Sequence, residues 1–203
     1  MGLSRFQVFN ATELADVEAR LKECNFIDGK LSAKGRAKDV KRNEQIGHDE
    51  EGLSTLAHLE SLILSSALVN VISFPKRIGG LMVNSYAQGQ SYGWHVDSAL
   101  MKDRDGPLRT DLSFTIALND PTDYDGGYLE MWQEDELKQV KLNKGEMYLY
   151  PTGKLHRVSE VTRGRRLCCV GWIQSWIADP DLRDSMTRLR TLTIEIDKQN
   201  LLP

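Results

Sequence analysis

The stretch from Pro75 to Ile177 consists of short segments rich in β-branched and aromatic residues, and turn-forming residues separate each segment from the next. Because eight such segments follow one another with no helical pattern between them, they predict an antiparallel β-sandwich or barrel. The predicted strands are 80–87, 93–97, 110–118, 127–133, 137–142, 145–150, 155–161 and 165–177.

Helical periodicity is confined to the two ends of the chain. Asn10 and Glu13 predict a capping box for a first helix, and apolar residues predict a second helix over 54–70 and a third over 179–199. No repeat, linker or low-complexity tract divides the sequence. We therefore expect one domain over 1–203, with N-terminal helices in about 10–70, a β core over about 78–177 and a C-terminal helix over about 179–199.

The charge balance argues against a nucleic-acid partner. The chain has 26 Lys and Arg against 29 Asp and Glu, a formal net charge of −3, whereas a protein that binds the phosphate backbone normally carries a basic excess. A basic stretch at 34–42 lies within the polar segment 28–52, which shows no sustained period. The segment is predicted to be loop or irregular structure, and the basic stretch within it to be a solvated loop, with contact to an acidic or polymeric partner as the alternative.

The cysteines and the apolar segments predict a cytoplasmic protein. Three cysteines, two of them adjacent, do not form a disulfide framework and suit a reducing compartment. The N-terminus lacks the apolar core of a signal peptide, and the apolar region 61–72 is too short to span a bilayer. We expect no membrane association, and the sequence leaves the oligomeric state open.

A possible metal site is found in the predicted strands. His95 and Asp97 are two residues apart on one strand, so their side chains point to the same face, and His156 lies on a later strand. Two imidazoles and one carboxylate leave three positions of an octahedral metal open, which suits non-haem Fe(II) enzymes. A His-x-Asp pair occurs often by chance, so this spacing alone does not identify a metal site.

Longer stretches around these residues resemble a known family. Arg166 follows His156 beyond a predicted turn, and an arginine fork can bind a carboxylate with two hydrogen bonds. The chain resembles the PKHD-type hydroxylases, the bacterial branch of the Fe(II)/2-oxoglutarate dioxygenases related to prolyl and lysyl hydroxylases. The stretches that carry the resemblance are NSYAQGQSYGWHVDSALM, RTDLSFTIALNDPTDYDGGYLEM and LYPTGKLHRVSEVTRGRRLCCVGWIQS.

The resemblance implies a double-stranded β-helix, which is a jelly roll of the cupin type, with helices beside it. It implies that His95, Asp97 and His156 bind Fe(II) and act in catalysis through the iron, and that Arg166 pairs with the distal carboxylate of 2-oxoglutarate. The expected cosubstrates are 2-oxoglutarate and O₂, with ascorbate (vitamin C) supporting activity.

Two aromatic residues are further candidates for binding the cosubstrate. The resemblance implies that the hydroxyl of Tyr86 donates to 2-oxoglutarate, although an ordinary strand aromatic would give the same pattern. Strand alternation places Trp172 on the same face as Arg166, where it would either line the cosubstrate cavity or belong to the plain core.

The implied activity is hydroxylation of an unactivated C–H bond with release of succinate and CO₂. The resemblance suggests a prolyl or lysyl side chain as substrate, and a free amino acid or another small molecule is equally compatible. A non-catalytic jelly roll that binds a metal or a carboxylate is the alternative. Tyr128, where the family usually has an acidic residue, and a C-terminus shorter than usual distinguish this chain from the family pattern. The polar stretch 98–109 is predicted to be a substrate lid.

Overall fold

Antiparallel strands form the core of the computed structural model, which describes residues 4–32, 35–103, 106–133 and 135–198. The larger sheet has the strand order β1-β13-β9-β15-β5-β4-β2, and β10 pairs with one end of β15. Its long central pair, β5 and β15, places Tyr86 opposite Arg166. The strands of this sheet are β1 (Ser4–Gln7), β2 (Phe26–Asp28), β4 (Glu44–Ile46), β5 (Pro75–Ala87), β9 (Leu112–Ala117), β10 (Tyr124–Gly126), β13 (Glu146–Pro151) and β15 (Val161–Ser175).

A smaller sheet, with the order β12-β11-β14-β6-β3, forms the second layer, and β7 and β8 make a separate hairpin. The strands of these two units are β3 (Lys41–Arg42), β6 (Ser91–His95), β7 (Leu100–Asp103), β8 (Gly106–Arg109), β11 (Leu129–Gln133), β12 (Glu136–Val140) and β14 (His156–Val158). The predicted jelly roll of antiparallel strands with flanking helices is confirmed.

Helices α1, α3 and α4 pack on the larger sheet, α5 packs on α4, and α2 lies beside β6 of the smaller sheet. Helix α1 begins with the capping box predicted at Asn10 and Glu13. Apolar residues of α1 and α3 join a buried cluster with residues of the larger sheet, among them Val83 and Ile116. The helices are α1 (Ala11–Glu23), α2 (Arg36–Asp39), α3 (Glu50–Ser65), α4 (Ala67–Ser73) and α5 (Pro180–Lys198), and short 3₁₀ turns occupy Gly29–Leu31 and Pro121–Asp123.

The predicted helix over 54–70 is two helices in the structure. Ser66 ends α3 and caps α4, with its hydroxyl accepting a hydrogen bond from the Val69 amide. The two axes differ by 72°. Among the described residues no single helix has the length and apolar character to cross a membrane, although α3 and α4 taken together meet that test of length and composition.

The interpretation of 28–52 as loop or irregular structure was wrong in part. Strands β3 and β4 lie in this segment, and Lys41, Asn43 and Gln45 are buried. Within the basic stretch at 34–42, Lys41 is therefore buried although Arg42 beside it is exposed, and the first residue, Lys34, lies outside the described residues. Apolar alternation did not signal these strands because the buried positions carry polar side chains.

Replacing Ile63 with alanine is expected to destabilise the protein strongly. Ile63 is fully buried between α3 and the larger sheet, and truncating such a side chain leaves a cavity that costs about 2–5 kcal/mol. Leu64, the next residue, is 37% exposed, so Leu64→Ala should cost well under half as much. Urea unfolding of both variants measures the difference, and equal losses would contradict the packing described.

Candidate functional site

Two histidines face each other across neighbouring strands of the smaller sheet. His95 ends β6, His156 begins β14, and the two residues are paired in the strand register, with their ring centroids 4.2 Å apart. Asp97 lies two residues after the end of β6 and therefore outside the strand, which was predicted to run to residue 97. One carboxylate oxygen lies 3.9 Å from His95 Nε2, and the other lies 3.9 Å from His156 Nε2. The three potential ligand atoms lie within 4.8 Å of one another.

Backbone carbonyls orient both imidazoles. His95 Nδ1 lies 2.8 Å from the Gly93 carbonyl oxygen, and His156 Nδ1 lies 2.8 Å from that of Lys154. A proton on each Nδ1 satisfies these carbonyls and leaves a lone pair on each Nε2. Burial, and then the neighbouring His156, lower the pKa of His95 to about 4. His95 is therefore neutral at pH 7, which is the form that binds a metal.

The carboxylate of Asp97 is held by two donors from the larger sheet. Its Oδ2 accepts hydrogen bonds from Ser113 Oγ at 2.8 Å and from Trp172 Nε1 at 3.0 Å. Ser113 Oγ also lies 3.0 Å from Thr152 Oγ1. The position of the carboxylate relative to the two histidines thus depends on both sheets.

The donor set fits a divalent transition metal. Two imidazole nitrogens and one carboxylate on one side of an ion would leave three positions open, as in oxygen-activating non-haem Fe(II) sites. The hydrogen bonds to the imidazoles and to Asp97 are of the kind that orients metal ligands.

Replacing Trp172 with phenylalanine is expected to weaken metal binding about tenfold, because the Asp97 carboxylate loses one of two orienting donors while the cavity wall keeps an aromatic ring. Ser113→Ala should act similarly. Zn(II) titration calorimetry measures the effect, and Trp94→Phe, away from the cavity, is the control. Unchanged affinity in Trp172→Phe would show that this indole does not position the carboxylate.

Arg166 is a buried cation of the larger sheet. Its side chain is 6% exposed, Nη1 lies 2.8 Å from Cys168 Sγ, and Cζ lies 5.3 Å from the centroid of the Tyr86 ring. No carboxylate of the described residues forms an ion pair with it. A buried guanidinium without a carboxylate is costly, so the site fits an anionic ligand. Burial raises the pKa of Tyr86, which keeps its hydroxyl protonated as a potential donor.

One cavity of about 570 Å³ brings these residues together. Its volume is in the usual range for small-molecule sites. Cys168 and Val170 line it beside Arg166, whereas Cys169 packs in the core cluster on the other face of the sheet, as strand alternation predicts. All six residues singled out from the sequence line the cavity: Tyr86, His95, Asp97, His156, Arg166 and Trp172.

Sequence reasoning missed other residues of this cavity. Tyr92 stacks on His95 with ring centroids 3.7 Å apart, and Lys41, Ser32 and Gln45 form a polar end of the cavity. A signal for Tyr92 exists in the sequence, because it lies on the same strand as His95. The sequence contains no such signal for Lys41, because Lys41 belongs to a run of basic residues that suggests solvent exposure.

The stretch 98–109, predicted to be a substrate lid, has regular structure in its described residues. It contains the hairpin of β7 and β8, whose residues Leu100, Met101 and Lys102 line the cavity. Leu108 of the same hairpin is fully buried. One strand of the hairpin thus faces the site, and the other is anchored in the protein.

Comparisons with known proteins agree with this geometry. Residues 81–174 match the family model of the 2OG-Fe(II) oxygenase superfamily. A PKHD-type hydroxylase of Synechococcus elongatus is 37% identical over 185 residues, which cover 91% of this chain and 83% of that protein.

Solved structures with the same fold have bound ligands of two kinds. A prolyl hydroxylase from Trichoplax adhaerens, in complex with a hypoxia inducible factor peptide fragment, matches with a TM-score of 0.60 and 18% identity over 93% of this chain and 86% of its own. HygX from Streptomyces hygroscopicus, with nickel, 2-oxoglutarate and hygromycin B bound, matches with a TM-score of 0.58 and 15% identity over 87% and 84%.

Proposed function

Because this chain belongs to the PKHD-type hydroxylases of the 2OG-Fe(II) oxygenase superfamily, and is therefore a dioxygenase that uses Fe(II) and 2-oxoglutarate, we propose that it hydroxylates an unactivated C–H bond. The reaction consumes O₂ and 2-oxoglutarate and releases succinate and CO₂, with one oxygen atom in the product and one in succinate. The observation that carries the proposal is the single cavity lined by the His-Asp-His group and by a buried arginine without a carboxylate partner.

Each side chain has a distinct part in this reaction. His95, Asp97 and His156 would hold the iron, which when bound supplies oxygen activation and abstraction of hydrogen from carbon. Arg166 would bind the distal carboxylate of 2-oxoglutarate with its fork of N–H donors, and the Tyr86 hydroxyl would add a further donor. Trp172 would line the cosubstrate site and fix Asp97. The enclosing strands limit the access of water to the reacting carbon.

The carboxylate of Asp97 favours hydroxylation over halogenation. Halogenating relatives typically lack the carboxylate that Asp97 provides, so that chloride can bind in its place.

Residues 1–203 would act as one domain, since the histidines lie on the smaller sheet while Arg166 lies on the larger one. The substrate would be a small molecule or a peptidyl side chain, and ascorbate would support turnover by keeping iron reduced.

A direct assay tests the proposal. The purified protein is given Fe(II), 2-oxoglutarate and ascorbate under air, and succinate is measured with a broad panel of peptides, amino acids and other metabolites. We expect succinate formation and a visible charge-transfer band from the anaerobic complex of protein, Fe(II) and 2-oxoglutarate. Absence of both would contradict the proposal and favour a binding module.

Shortening the hairpin of β7 and β8 is expected to uncouple the reaction. Leu100 and Met101 lie beside the site, so the hairpin would act as a lid that keeps water from the reacting centre. Deleting residues 103–106 should raise the ratio of succinate to hydroxylated product at least about twofold, because an open site consumes more 2-oxoglutarate without hydroxylating the substrate. An unchanged ratio in a variant of normal melting temperature would show that the hairpin is not a lid.

A further inference from the structure

The polar end of the cavity lies where the chain crosses from the smaller sheet to the larger sheet. Lys41 belongs to β3 of the smaller sheet, and Gln45 belongs to β4 of the larger sheet. Lys41, Asn43 and Gln45 are buried, whereas Arg42 between them is exposed. This is the alternation of a strand with a polar inward face. Inward-facing polar residues cost stability unless a partner or a ligand satisfies them.

The ammonium group of Lys41 is incompletely satisfied within the protein. Its Nζ donates to Ser32 Oγ at 2.8 Å and, at the longer distance of 3.5 Å, to Gln45 Oε1. Both acceptors are neutral, and no carboxylate of the described residues forms an ion pair with Lys41. The side chain is 3% exposed, and burial lowers the pKa of Lys41 to about 8. The group therefore bears a desolvation cost that a bound anion would offset.

The cavity has an excess of positive charge. Among the described residues that line it, Lys41, Lys102 and Arg166 are cationic and Asp97 alone carries a carboxylate. Fe(II) and the 2-oxoglutarate dianion cancel each other's charge, so their binding leaves the excess in place. Arg166 suffices for the distal carboxylate of 2-oxoglutarate, and Lys41 is then available to a second anion.

Lys41 lies close to the candidate metal ligands. Its Nζ is 5.5 Å from the centroid of the Tyr92 ring, and that ring stacks on His95 with the centroids 3.7 Å apart. One aromatic ring thus separates the ammonium from the imidazole of His95. A molecule that reaches from Lys41 to the site of oxidation need be only a few bonds long.

We propose that Lys41, together with Ser32 and Gln45, binds the carboxylate of the substrate, and that the substrate is a small free carboxylic acid such as an amino acid. This inference rests on the proposed function. A residue in the middle of a peptide has no main-chain carboxylate to offer to Lys41. The C-terminus of a peptide has the same chemistry, and the experiment below distinguishes it from a free acid.

The test measures binding rather than turnover. Calorimetry is performed on the intact protein loaded with Zn(II) and 2-oxoglutarate, and the probes are the common L-amino acids and small hydroxy acids, each paired with its carboxamide. Short peptides with a free or amidated C-terminus form a second set. The variants are Lys41→Met, Lys41→Arg, which keeps the charge, and Arg42→Met, which removes a neighbouring charge outside the cavity.

We expect one or more free acids to bind the wild-type protein at least about thirtyfold more tightly than their carboxamides, since the amide cannot form the buried charge pair. Lys41→Met should remove that preference, whereas Lys41→Arg should keep part of it and Arg42→Met all of it. Affinity for 2-oxoglutarate should be unchanged in Lys41→Met.

Other calorimetry results would contradict the carboxylate site, the choice of a small acid, or the proposed function. Equal affinity for acids and amides, binding of no free acid, or an unaltered preference in Lys41→Met would refute the carboxylate site. A preference shown by peptides alone would assign the site to a peptide C-terminus and refute the small acid. Weaker binding of 2-oxoglutarate by Lys41→Met would assign Lys41 to the cosubstrate. Failure of the wild-type protein to bind 2-oxoglutarate would instead refute the proposed function.

Discussion

Replacing His156 with alanine is expected to reduce 2-oxoglutarate turnover to background. The change removes one of three candidate ligands, and His48, which also lines the cavity, does not belong to the group of residues whose ligand atoms lie within 4.8 Å of one another. Metal affinity should fall by more than about a hundredfold, which exceeds the usual effect of changing an outer-shell residue. Succinate formation and Zn(II) calorimetry measure the two losses.

The control for this experiment is His58→Ala. His58 lies in α3 and does not line the cavity, so its loss should leave turnover and metal affinity near wild type. A His156→Ala protein that folds normally and still binds metal with wild-type affinity would show that the His-Asp-His group is not the metal site.

Replacing Arg166 with alanine is expected to weaken 2-oxoglutarate binding by about 3 kcal/mol, roughly a hundredfold, while metal binding in the absence of cosubstrate stays the same. The guanidinium is buried and no carboxylate of the described residues pairs with it, so its loss removes the counter-ion of the distal carboxylate. Arg166→Lys should recover part of the affinity, because lysine keeps the charge but lacks the bidentate fork.

The matched control is Arg165→Ala. Arg165 is the preceding residue on β15, and its side chain is 57% exposed and pairs with Glu44. Both measurements should be unchanged in this variant. If Arg166→Ala left the dissociation constant of 2-oxoglutarate at the wild-type value, the cosubstrate would have to bind elsewhere.

The sequence predicts most of the β core because its buried positions are apolar and alternate. In β9, Leu112, Phe114 and Ile116 pack into the core cluster, while Ser113 and Thr115 line the cavity. The same rule fails at β3 and β4, where Lys41, Asn43 and Gln45 occupy the buried positions. Alternation detects a strand by its apolar face, so a strand whose inner face is polar escapes it.

The helix break at Ser66 and the hairpin of β7 and β8 illustrate a second limit. Helical spacing of apolar residues continues through 54–70, and Ser65 and Ser66 do not by themselves predict the 72° bend between α3 and α4. The hairpin is short and its sequence is mostly polar. Leu108, which is fully buried in the structure, is the one residue whose apolar side chain suggests that part of the hairpin packs in the core.

The candidate site could be predicted where its residues lie on one strand or just beyond its end. His95 and Asp97 are two residues apart, and Arg166 and Trp172 share the face of β15 that lines the cavity. Contacts between strands were beyond the sequence. The hydrogen bonds of Ser113 and Trp172 to Asp97 depend on how the two sheets face each other, and the position of Lys41 over the Tyr92 ring depends on the pairing of β3 with β6.

The division of the cavity between two sheets couples ligand binding to global stability. The paired histidines belong to the smaller sheet and Arg166 belongs to the larger one, so a molecule that engages both is bound only while the sheets remain packed. Ligands that bind the folded state alone raise its stability by mass action. Metal and 2-oxoglutarate together should therefore raise the melting temperature of the whole β core, and separation of the sheets would release them both in one cooperative step.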